Sequence, residues 1–96
     1  MARVTAEHID TRSTRDGMTA TLALSGAPTV TRSGNATIEP ESITVGTRHG
    51  RWHATVSGHH RSPAGVGPAF TLDYDNPSTL VREFPWAREI VEWWQP

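Results

Sequence analysis

The chain has 96 residues, with 9 arginines, no lysine, 10 acidic side chains, 5 histidines and no cysteine, for a net charge of -1. That balance argues against a generally basic nucleic-acid-binding domain, and the lack of thiols excludes disulfides, thiolate metal sites and a cysteine nucleophile. No apolar run approaches the ~20 residues of a membrane span, and Met1-Ala2-Arg3-Val4-Thr5 lacks the apolar segment of a signal peptide, so the expectation is one cytoplasmic domain over 1–96.

Residues 3–9 show a mixed alternation that predicts a first strand. Asp16-Gly17 is a strong turn pair, because both residues tolerate positive φ. After it Met18, Ala20, Leu22 and Leu24 take one face of a second strand, so residues 1–25 read as a β-hairpin. Residues 25–35 read mostly as a connection, with Val30 in a short irregular strand. Ala36-Thr37-Ile38-Glu39 predicts another strand, ended by Pro40, which cannot donate to a ladder.

The clearest hairpin is central. Ile43 and Val45 share one face of the strand over 42–48. Trp52, Ala54 and Val56 share one face of the strand over 51–57, with Arg51, His53, Thr55 and Ser57 opposite and His49-Gly50 as the turn. The apolar period is two, which argues against a helix. Three Gly and two Pro within residues 58–69 predict a loop. Phe70, Leu72 and Tyr74 then line one face of a last strand.

The C-terminus switches period. Asn76 is suited to cap a helix and Pro77 to open it, with Leu80, Val81 and Phe84 at helical spacing. Pro85 breaks that helix and opens a second, on which Trp86, Ile90, Trp93 and Trp94 form an apolar stripe. Strands first and helix last predict an α+β fold: an antiparallel sheet of four to five strands, two hairpins plus a last strand, covered by a C-terminal amphipathic helix. The core is thin, since Leu, Ile, Val and Phe total 17 residues, but near-zero net charge and four tryptophans favour a folded chain.

Arginine without lysine, the strand Phe70-Thr71-Leu72-Asp73-Tyr74, and the acidic helix opened by Pro85-Trp86 resemble small uncharacterised proteins of actinobacteria and their phages. The resemblance covers about a quarter of the chain. It implies a bacterial or phage origin and no particular activity.

Catalytic and metal signatures are sparse. His53 and His59 share strand parity but stand ~20 Å apart on a continuous strand. There is no HExxH, no nucleophile elbow and no phosphate loop, since Gly65-Val66-Gly67 leads into Pro68 and a strand. Asp73-Tyr74-Asp75-Asn76 opens like a calcium loop, but Ser78 and Phe84 stand where Gly and Glu are needed. No cofactor is implied, and a non-enzymatic protein is expected.

The charge map is more informative. Residues 42–72 carry Arg48, Arg51 and Arg61 and no acid, whereas residues 73–96 carry two Arg and five acids. Two readings of the basic stretch follow. Arg48, Arg51, His53, His59, His60 and Arg61 contact phosphates or an acidic protein, or the stretch complements the acidic helix. Adjacent Trp93 and Trp94 point about 100° apart on a helix, so both are hard to bury under one small sheet. Trp is enriched at interface hot spots, which makes this pair a candidate interface. The expected function is a small protein–protein interaction module, binding a protein partner or a second copy through the C-terminal helix. In a phage or mobile element this suits an accessory protein. The alternative is a nucleic-acid-associated protein using the basic hairpin and loop at 48–61.

Overall fold

A computed structural model describes residues 4–15, 17–26, 30–31, 37–62 and 64–94. The strands are β1 (Thr5–Thr14), β2 (Gly17–Ser25), β3 (Val30–Thr31), β4 (Thr37–Arg48), β5 (Arg51–Ser62) and β6 (Gly65–Tyr74). They are followed by α1 (Pro77–Glu83), a 3-10 turn (Pro85–Ala87) and α2 (Arg88–Trp93). All strand pairs are antiparallel, in the order β1-β2-β4-β5-β6, and β3 adds two residues along β4 beside Thr37 and Ile38. The α+β architecture follows the period switch at Asp75. Alternating apolar residues build the sheet, and one covering layer is supplied by the helical spacing that follows.

The register explains which residues meet. Ala20 pairs with Val45 and Val45 with Ala54, while Leu22 pairs with Ile43 and Ile43 with Val56. Paired residues point to the same face, so these side chains form one apolar surface. Phe70 and Tyr74 extend this surface on β6, Leu80, Phe84, Ala87 and Ile90 close over it, and all six are buried. Trp52, Leu72, Trp86 and Trp94 pack partly buried against this core. The predicted stripe on the last helix therefore docks through Ile90 and Trp86. Among the described residues no helix is long and apolar enough to cross a membrane.

Local chemistry fixes the junctions. His49 (φ 52) and Gly50 (φ 74) both have positive φ between the paired residues Arg48 and Arg51. This is the two-residue turn whose twist matches the flanking strands. Asn76 caps α1, its side-chain oxygen accepting from the Ser78 N–H at 2.8 Å, with Pro77 next. Asn76→Ala should cost about 1 kcal/mol of stability in a denaturant titration; no change would show that the first turn needs no cap.

Three expectations are corrected. The first strand, expected over 3–9, is described from Thr5 to Thr14. Thr14 pairs with Gly17, so Gly17 belongs to β2; Asp16, the other half of the predicted turn pair, lies outside the described residues. The strand expected to end at Pro40 runs on to Arg48. Pro40 pairs with Gly58 and Ser42 with Ser57, which leaves Glu41 as an extra residue. A bulge of this kind accommodates the missing proline donor without ending the strand. Finally, the loop expected over 58–69 is a hairpin: β5 continues to Ser62 and β6 begins at Gly65. Gly58 lies in β5 because the Glu39 backbone passes so close that a Cβ there would sit 2.0 Å from its carbonyl oxygen. Gly67 and Pro68 lie opposite the single residue His60, a bulge on an edge strand, where a proline does no harm.

A third bulge lies on the other edge. His8 pairs with Leu22 but Asp10 with Thr21, so Ile9 is the extra residue on β1, and its side chain is exposed.

Candidate functional site

Two surfaces gather the residues singled out in the sequence. The first is the sheet face turned away from the helices. Its cross-strand rows are read from the register. One runs Arg12, Thr19, Gly46, His53, and the next Asp10, Thr21, Thr44, Thr55, Asp73. Arg48 and Arg51 pair at the hairpin end of the same face. Threonines dominate the middle rows, as expected of β-branched side chains that face away from the core. Thr21 and Thr44 hydroxyls lie 3.1 Å apart, and Thr55 Oγ1 donates to Asp73 Oδ1 at 2.8 Å.

The structure divides the basic stretch. Arg61 lies 3.2 Å from Glu39, and His59 Nδ1 lies 2.7 Å from Glu41. His53 lies 3.6 Å from Asp73. His60 stands on the opposite face, its ring edge-on to Phe70 at 5.9 Å. Arg48 and Arg51 stay together at the hairpin tip, both exposed, with no ion-pair partner among the described residues. Arg51 and Arg61 are ten strand residues apart, about 33 Å. The six basic residues thus do not form one continuous track. Their acidic complements come from β4 and β6 rather than from the terminal helices. Glu39 and Glu41 escaped notice because they precede the basic stretch in sequence, and only the β4–β5 register brings them opposite it.

The second surface is a groove between β1 and α2 with a volume of about 580 Å³. Leu22, Ile90 and Trp86 contribute its apolar lining, and Val4 and Ala6 line it from the β1 side. His8 and Glu89 add polar groups. Trp93 also lines it and is 56% exposed, its ring 6.2 Å from His8 and 6.0 Å from Trp94. Trp94 is half-buried against the core, with its indole N–H enclosed. The two adjacent tryptophans therefore play different parts: one packs inward and the other lines the groove.

The groove was not legible as a unit. His8 enters it because it pairs with Leu22 on the helix-covered face, and Ile9 then shifts the alternation of β1. Among the described residues no three His, Asp or Glu side chains converge as a metal site would require. Comparison with models of protein families, with curated proteins and with solved structures finds no match.

Proposed function

We propose that this protein is a non-enzymatic interaction module that binds another protein through its C-terminal helix. The observation that carries the reading is Trp93, a large apolar ring left 56% exposed beside a groove lined by Leu22, Trp86 and Ile90 together with His8 and Glu89. A ring in water forgoes ~2–3 kcal/mol of burial, and a thin core gives this chain little reason to forgo it unless a partner covers the ring. The occupant is a partner segment with an apolar residue for the groove and a basic residue for Glu89. Glu89 lines the groove, and residues 73–96 carry a net charge of -3. A role as an accessory protein of a phage or mobile element is consistent with this reading and rests on the sequence resemblance.

Selection from a library of random peptides tests it. The parent should enrich sequences that join an aromatic or aliphatic residue to an arginine or lysine. Trp93→Ala should weaken the selected peptides by ~30-fold or more, as for an interface hot spot. Its unfolding midpoint should stay near the parent's, since the ring contributes little to the fold. Glu89→Gln should weaken only the peptides with a basic residue. A parent that selects nothing, or peptides indifferent to Trp93→Ala, would remove the reading. A parent that is dimeric in light scattering, and monomeric as Trp93→Ala, would replace the partner segment with a second copy.

A further inference from the structure

The face opposite the helices carries a separate feature. Gly46 lies between Thr19 and His53 in one cross-strand row. Position 46 must be glycine because a Cβ there would meet the Met18 carbonyl oxygen at 2.5 Å and Thr19 Cγ2 at 2.6 Å. Beside this close approach lies a dent of about 250 Å³, bounded by Thr19, Thr44 and Thr55 together with Arg48 and His53. None of its described lining residues is acidic. Asp73, the nearby carboxylate in the Thr55 row, is already engaged by the Thr55 hydroxyl at 2.8 Å and by His53 at 3.6 Å.

A second observation concerns charge. Arg48 and Arg51 are direct cross-strand partners on this face. Like charges placed directly opposite one another destabilise a sheet, and no acid among the described residues compensates them. Two guanidinium forks, an imidazole and a set of hydroxyls offer donors in excess of acceptors. An anion with several oxygens would accept from them and cancel the repulsion of the arginine pair.

We infer that this dent is an oxyanion site, in which a phosphoryl group takes charge-assisted hydrogen bonds from Arg48, which lines it, and from Arg51, the cross-strand partner of Arg48 beside it, together with a hydrogen bond from His53. The hydroxyls of Thr19 and Thr44 supply neutral hydrogen bonds. The phosphoryl group comes either from a free phosphate compound or from a nucleic-acid backbone. The chemistry is common to both.

Titration of the full chain with inorganic phosphate, followed by amide NMR shifts, and with a short single-stranded DNA separates these sources. Shifts centred on residues 44–55 with phosphate alone assign a free phosphate compound. Binding confined to DNA, falling steeply as salt rises, assigns the backbone. In either arm Arg48→Gln and Arg51→Gln should each weaken binding about tenfold, the loss expected for a charge-assisted bond. Arg61→Gln, at the far end of the same face, should leave it unchanged. The double variant Arg48→Gln/Arg51→Gln should unfold at or above the parent midpoint without ligand, because it removes a repulsion. No binding of either probe by the parent would overturn the proposal. So would binding that Arg61→Gln weakens as much as Arg48→Gln does.

Discussion

Gly58→Ala should unfold this protein more readily than the same change at Gly17, Gly46, Gly50, Gly65 or Gly67. The new Cβ would sit 2.0 Å from the Glu39 carbonyl oxygen, 2.9 Å from its carbon and 2.8 Å from Phe70 Cε1. The phenyl ring can tilt, but the Glu39 backbone cannot, because it belongs to a strand paired on both sides of the Glu41 bulge. Relief requires β4 and β5 to separate where they form the centre of the sheet. The expected loss is about 3 kcal/mol or more, at the upper end of overpacking costs, from a total of roughly 5–15 kcal/mol. Gly50→Ala is the comparison. Nothing lies within 4 Å of a Cβ there, so its cost is only the strain of positive φ, about 1 kcal/mol. Urea titrations of the two variants read the difference directly. Equal midpoints would show that the central bulge opens without penalty.

Phe84→Ala should release the helices from the sheet. Phe84 is the largest side chain fully excluded from solvent among the described residues. Its ring meets Tyr74 edge-on at 6.2 Å and Trp86 at 5.4 Å. Its backbone ends α1 by donating to the Leu80 carbonyl oxygen, and its own carbonyl oxygen accepts from the Ala87 N–H, each at 2.8 Å. One residue thus closes the first helix, opens the turn that leads to the second, and anchors the corner between them. Truncating a buried phenylalanine costs ~3–5 kcal/mol, and here the loss falls on the short helices, which hold few hydrogen bonds of their own. Phe84→Leu should cost less, about 1–2 kcal/mol, since most of the volume remains. Denaturant titration followed by tryptophan fluorescence checks both. A loss below about 1 kcal/mol for Phe84→Ala would show that the helices hold their place without this ring.

The parts of the fold that could be read from sequence are those where local chemistry and tertiary structure agree. The central hairpin was legible because Ile43, Val45, Ala54 and Val56 keep an unbroken period of two around a His-Gly turn. The helix start was legible because Asn76 and Pro77 act within three residues of one another. What misled were the three bulges. Ile38 and Ile43 are both buried although they are five residues apart, an odd spacing that a regular strand forbids. Glu41 absorbs the extra residue, and Pro40 beside it looked like an end. Gly58, Gly67 and Pro68 looked like a loop because composition does not record which strand lies alongside. The same limit applies to charge. Arg61 and His59 read as part of a basic surface until the register set Glu39 and Glu41 against them. Trp93 and Trp94 are equivalent by composition, and only the docking angle of a six-residue helix separates the half-buried ring from the exposed one.

The bulges at Ile9 and at Gly67-Pro68 lie one on each outer strand, and this bears on how the protein behaves when concentrated. A chain that tried to extend the sheet along β1 would keep step only as far as Ile9, where the spacing of free amide and carbonyl groups slips by one residue. Along β6 it would meet Pro68, which has no proton to offer. Both rims therefore interrupt templated growth. Copies crowded together, as at high expression or in a dense assembly, are denied the long cross-strand ladders from which fibrils grow.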